Sequence, residues 1–391
     1  MIVGFVLGVF WIPMAQAAEV PDPFAGVVES TSTGEAASDS WAKRFFTENF
    51  GFRKELMSEF ATSEQAPVYS RQSVGFETLK KFSSETATIA SVDFQGRLVR
   101  RDRFVPVLND SEGMHRPGWW FEYHNAYLDL YNVLDPVLSE KAQAENVGRF
   151  NLRAGRFYVP FGLNLQTDTH ATILQLSNER NFGFERDWYT GIWGAVNDDL
   201  NYDAYYLAGS GYDLKFKGQS GLGAARLSLS NKYSYDYGLE GGLSVLDGER
   251  LSPEEAQRDT LVAARGGSSS VVQTQRIGLD GRYRRPVPTG LLTFSSEMSG
   301  GRDAPDAVFT QLYQAEYLHA SRRWGLASQY RRFWQDGSGT DGSILAEATW
   351  YFRNDVGNSN LHWVKVNVER QLERAQGRPD TIVALQYYRY W

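Results

Sequence analysis

The chain has no cysteine among its 391 residues. That absence excludes disulfides, thiolate metal centres, thiol nucleophiles and covalent haem attachment through a Cys-x-x-Cys-His stretch. Histidine is scarce too. His115, His124, His170, His319 and His362 show no metal-ligand spacing. No metal and no cofactor is therefore expected. Lysine is rare, nine residues against 31 arginines, and the formal net charge is −7. Such a chain lacks the basic patch that nucleic acid requires. Beyond the first residues there is no apolar run of about 18 residues, which excludes helical membrane spans. No phosphate-loop glycine motif or nucleophile elbow is found.

The N-terminus carries the longest apolar run, MIVGFVLGVFWIPM, followed by Ala15-Gln16-Ala17. This reads as a secretory signal at 1–17 with a small-residue cleavage site. Residues 18–49 mix Pro, Gly, Ser and Thr with SDSWAKRFFTEN and read as a periplasmic arm.

From residue 50 the pattern changes to period two. Val364, Val366 and Val368 alternate with Lys365, Asn367 and Glu369. Ile277, Leu279 and Tyr283 alternate with Arg276, Asp280 and Arg282. Successive side chains of a strand point to opposite faces, so one face is apolar and the other charged. A soluble sandwich alternates as well, and spacing separates the two. About sixteen segments of roughly ten residues, the length of a barrel strand, lie between 50–61 and 381–391. Long connections are expected near 62–72, 100–117, 159–185, 209–220, 247–270, 299–307, 335–342 and 372–380. Short ones fall between them, as extracellular loops alternate with periplasmic turns in bacterial barrels. Residues 132–146 break that rhythm with Leu134 and Pro136. Trp119-Trp120, Trp188-Tyr189, Trp324, Trp334, Trp350-Tyr351 and Tyr387-Tyr388 sit near segment ends, as interfacial girdles do. The expected fold is all-β, a transmembrane antiparallel β-barrel of about 16 strands over 50–391, in the bacterial outer membrane and in contact with its lipids.

The last segment, TIVALQYYRYW, ends on Trp391. A terminal aromatic resembles the signal read by the barrel-assembly machinery, although Arg389 stands where an apolar residue is usual. Residues 147–194 resemble the strand-to-loop passage of the phosphate-selective porin O and P family, through Arg153-Ala154-Gly155-Arg156-Phe157-Tyr158-Val159-Pro160-Phe161-Gly162. The resemblance implies that the third extracellular loop, 159–185, folds inward. It also implies that basic residues at the constriction attract anions. By position, Arg149, Asn151, Arg153 and Arg156 would line or approach the pore, with Asp168, His170, Glu179, Arg180, Glu185 and Arg186 on and beside the loop. The family's lysine-rich pore is missing, so a mixed ring of arginines and carboxylates is expected to orient polar solutes. A homotrimer follows by analogy only.

The function read from these residues is passive diffusion of small polar or anionic solutes, without enzymatic activity. A second reading is a barrel that sheathes a partner protein, such as an electron-transfer conduit; it requires a lumen without an inward loop. A third is a lipid hydrolase built on His319-Ala320-Ser321, a spacing that lets His activate Ser. That pair falls at the periplasmic turn, far from the outer leaflet. Arginines 149, 153 and 156 have an alternative role as salt-bridge partners that tie the inward loop to the wall.

Overall fold

The computed structural model describes residues 48–391 except for 65–67, 84–87, 103–117, 140–146, 164–171, 175–176, 212–220, 230–237, 252–270, 356–359 and 375–377. The expected signal segment and almost all of the N-terminal arm lie outside the described residues. The first eight strands are β1 Phe50–Ser63, β2 Tyr69–Ser83, β3 Thr88–Arg101, β4 Gly118–Leu130, β5 Asn151–Tyr158, β6 Arg186–Asn197, β7 Leu200–Leu207 and β8 Gly221–Leu229. The second eight are β9 Gly238–Leu251, β10 Val271–Val287, β11 Gly290–Asp303, β12 Asp306–His319, β13 Trp324–Gln335, β14 Gly339–Asp355, β15 Asn360–Glu373 and β16 Thr381–Tyr390. Every strand pairs antiparallel with its sequence neighbours, and β1 pairs with β16 to close the barrel.

Period two decides which residues form the wall's two faces. In β15, Val366 and Val368 are exposed outward, whereas Asn367 and Glu369 are buried inside. Phe52, Leu56 and Phe60 of β1 are exposed, whereas Glu55 and Glu59 are buried. An outer surface of this kind suits hydrocarbon. Each large aliphatic side chain gains about 1.5–3 kcal/mol when apolar solvent replaces water. Closure of β1 on β16 leaves no free edge strand in the sheet, and hydrocarbon does not tolerate one. A one-residue slip would turn Glu55 and Arg97 outward, at about 2–4 kcal/mol for an arginine at mid-bilayer depth. Register is therefore strongly specified.

Two of the expected long connections are tight reversals instead. In place of a loop over 299–307, β11 runs on to Asp303 and β12 begins at Asp306. In place of a loop over 335–342, β13 ends at Gln335 and β14 begins at Gly339. Polar strand ends look like loops in a sequence, but here they pair. Asp303 accepts from Arg250 and Arg276 at 2.8 Å each, which satisfies a charge on the inner face. Among its described residues, the irregular connection after β4 contains a 3₁₀ turn, Asp135–Val137, with proline in its first turn. Asn197-Asp198-Asp199 is an ordinary reversal, in which Asn197 Oδ1 accepts the Asp199 N–H at 2.9 Å.

Candidate functional site: the lumen and its inward loop

The motif glycine of β5 has a structural reason. Gly155 has φ +129°, and a Cβ there would collide with the Ala126 carbonyl and with Tyr127 of β4. Glycine lets β5 approach β4 at this point. The chain then leaves the wall. Val159 N–H donates to the Glu185 carbonyl at 2.9 Å and closes the root of the loop. Gly162, at φ +68°, makes the turn inward, with the Glu297 carboxylate 2.5 Å from where a Cβ would stand. Its N–H donates to Ser244 Oγ of β9 at 3.1 Å, and the next N–H, of Leu163, donates to Glu297 Oε1 of β11 at 2.9 Å. A short helix, α1 Ser177–Phe182, follows and rests against β12 and β13. There Arg276 of β10 donates from Nε to Asn181 Oδ1 at 2.8 Å and from Nη2 to the Asn181 carbonyl at 2.7 Å. Asn178 Nδ2 ties the helix back to the Phe161 carbonyl at 2.8 Å. Phe161, Phe182 and Phe184 pack edge to face at 5.5 and 5.2 Å. A loop that leaves between β5 and β6 and touches β9 to β12 crosses the lumen.

Beside the loop lies a cavity of about 570 Å³. Its described ionisable lining comprises six cations, Arg53, Arg153, Arg186, Arg282, Arg284 and Lys365, against five carboxylates, Glu77, Asp93, Glu297, Glu316 and Glu347. Opposite charges meet in pairs. Arg53 and Glu77 are 3.6 Å apart, Lys365 and Glu347 3.1 Å, and Arg282 and Glu240 3.5 Å. Inward aromatic rings, including Tyr127, Phe157, Trp363 and Tyr388, share the wall.

The expected site residues divide into several groups. Arg153 points into the lumen. Its guanidinium grips Asp129 with two bonds of 2.6 and 2.8 Å and sits 4.4–5.4 Å from the Phe157, Tyr127 and Trp193 ring centres. Arg186 also lines the cavity, stacked on Tyr158 and bonded to its hydroxyl. Glu185 is fully buried at the loop root, 3.9 Å from Arg186. Arg156 is fully buried outside the cavity lining. It donates to the Gly211 carbonyl at 2.7 Å and so braces the neighbouring loop. Asn151 is likewise buried and staples the connection after β4, accepting the Asn132 N–H at 2.9 Å and donating to the Gly148 and Trp193 carbonyls. Arg149 is not on the strand. It lies exposed in the turn before β5, because β5 begins at Asn151 rather than at 147. Asp168 and His170 lie outside the described residues. Glu179 and Arg180 belong to α1, and their side chains are outside the description.

Sequence reasoning missed Arg276, Asn181, Ser244 and Glu297, which hold the loop. Alternation assigns Arg276 to the charged face of β10, but a partner 95 residues away leaves no local signal. His319 and Ser321 do approach, with Nδ1 and Oγ 2.8 Å apart. The pair serves the turn after β12: Ser321 N–H donates to Nδ1, Arg323 N–H donates to Oγ, and the imidazole stacks on Trp324 at 4.8 Å.

No protein-family model matches the chain, and no curated protein matches its sequence. Solved structures do. The high-pH structure of Pseudomonas putida OprB superposes with a TM-score of 0.61 at 9% identity, over 88% of this chain and 94% of that one. An anion-selective porin from Comamonas acidovorans gives 0.54 at 9% identity, over 88% and 99%. This is the porin fold. Salmonella typhi OmpF, solved in complex with daunomycin, shares it at a TM-score of 0.51 and 11% identity, over 88% and 97%. Identities this low speak for the porin barrel as a fold. The narrower likeness to phosphate-selective porins rests on the 153–162 motif alone.

Proposed function

We propose that the chain is an outer-membrane porin through which small hydrophilic solutes diffuse passively. The inward loop, pinned across a charged lumen by Arg276 and Glu297, carries this reading. A loop in that position narrows a pore, and it would obstruct a barrel built to sheathe a partner protein. The ends of β1 and β16 lie together, which suits periplasmic termini and extracellular long loops. Purified protein in planar bilayers should show discrete ohmic conductance steps, and absence of steps from folded protein would sink the proposal. Homotrimeric assembly belongs to the same proposal and is read from cross-linked species on gels.

Selectivity is expected to be weak, because the described lumen charges are nearly balanced and largely paired. Arg153 is held by Asp129, so its field is partly cancelled at source. Replacing Arg153 with Gln leaves Asp129 unmatched and should move the reversal potential in a salt gradient toward cations. The shift should shrink in molar salt, where the Debye length falls to about 3 Å. Arg149→Gln, in the exposed turn, should leave the potential unchanged. An equal shift from both variants would show that pore position does not set the field.

Trp391 is proposed to act in assembly. It is exposed on the outer face, and its backbone pairs with Lys54 of β1 at 2.8 and 3.1 Å across the closing seam. Deleting it should lower folded yield in the outer membrane while leaving the conductance of the surviving barrels intact. Normal yield would argue against the assignment.

A further inference from the structure

At the end of the barrel that carries the termini, three adjacent strands present an outward row of two arginines and a histidine. Arg389 of β16 lies opposite His362 of β15, and His362 lies opposite Arg353 of β14. A bulge builds the row. The register of β14 slips between Tyr351 and Arg353, which inserts Phe352 and leaves both Phe352 and Arg353 exposed. Trp391 lies under the Arg389 guanidinium at 4.7 Å.

The depth of this row is set by its neighbours. One row further into the wall, Trp324, Trp350, Val364 and Tyr387 stand in register. Such rings favour the headgroup level of a bilayer. With about 3.4 Å per residue along a strand, the row sits roughly 7 Å further out, where lipid phosphates lie. Two arginines that flank one imidazole across three strands repel each other. At the other end of the barrel, two exposed arginines have acids beside them: Arg332 with Glu373 at 3.5 Å and Arg370 with Glu64 at 3.2 Å. Arg353, His362 and Arg389 have no ion-pair partner among the described residues. His362 Nε2 is buried without a hydrogen-bond partner.

We infer that Arg353, His362 and Arg389 form a site for the phosphodiester headgroup of an anionic phospholipid in the inner leaflet. Arg353 and Arg389 stand on strands about 10 Å apart, a span over which two long side chains can reach one phosphate, with the imidazole donating between them. Phe352 and Tyr387, on the side of the row nearer the bilayer interior, flank the start of the acyl chains. An anion here relieves the repulsion within the row, and it accounts for an arginine at position 389, where barrels of this kind usually carry an apolar residue.

The full chain, purified in detergent, would be titrated with phosphatidylglycerol or phosphatidylethanolamine and examined by native mass spectrometry. Retention of phosphatidylglycerol over phosphatidylethanolamine is expected. R353Q/R389Q should reduce that retention about thirtyfold, from roughly fivefold per surface cation. If R389Q lowers folded yield, R353Q/H362Q carries the same test away from the terminal strand. Wild-type retention in a folded variant would overturn the proposal, as would equal retention of the two lipids. Displacement of the lipid by millimolar inorganic phosphate would overturn it too, by showing that free phosphate is the ligand. The site rests on the membrane orientation proposed above, and conductance of the same preparation, expected to be unchanged, checks the pore reading separately.

Discussion

Arg276→Ala is expected to release the inward loop and raise single-channel conductance. Arg276 is 3% exposed and gives two hydrogen bonds to Asn181, at 2.8 and 2.7 Å. Bonds from a charged donor contribute about 1.5–3 kcal/mol each, so a latch of roughly 3 kcal/mol is removed even at the low end. That corresponds to about a hundredfold larger population of loop-displaced pores, at 1.36 kcal/mol per factor of ten. Asp303 keeps Arg250 at 2.8 Å, so the wall beneath should stay folded. Recordings should show larger steps with frequent transitions between levels. Asn181→Ala removes only the side-chain acceptor and should give a smaller effect in the same direction. Unchanged conductance in both variants would mean that the loop is held elsewhere, through Gly162 and Leu163.

The second large effect concerns stability. Arg97 of β3 is completely buried and clamps Glu55 of β1 with contacts of 2.7 and 2.8 Å, across the intervening β2. Removing one partner strands a buried charge, which costs about 3–5 kcal/mol. Arg97→Met should therefore lower the denaturant midpoint of the folded barrel, read as loss of the compact band on unheated gels. Replacing both residues, Glu55→Met with Arg97→Met, should recover much of that loss, because no uncompensated charge remains. If the single variant matched wild type, water would have to reach Glu55 freely.

The barrel was legible because its signal is periodic and local. Lys365, Asn367 and Glu369 could be assigned to the inner face from alternation, and the structure buries Asn367 and Glu369 there while Val366 and Val368 face out. The inward path after Val159 was also legible, but only through the resemblance of residues 153–162 to the phosphate-selective porins. The tight reversals at 304–305 and 336–338 were not. A charged strand end resembles a loop until its partner is known, and for Asp303 the partners are Arg250 and Arg276 from other strands.

What the amino-acid sequence determined by itself is the set of two-faced segments, their number, and hence a closed wall with an apolar outside. Those follow from the pleat of a strand and from the need to satisfy every backbone group in hydrocarbon. What only the tertiary structure decided is which charges face each other. Arg153 turned out to be held by Asp129 and three rings, Arg156 to bond the Gly211 carbonyl rather than line the cavity, and Arg149 to lie off the strand. The pins of the inward loop come from 82, 95 and 134 residues away. Pairing across a lumen depends on strand position around the barrel and on the register between strands, and neither is written in the spacing of residues along the chain.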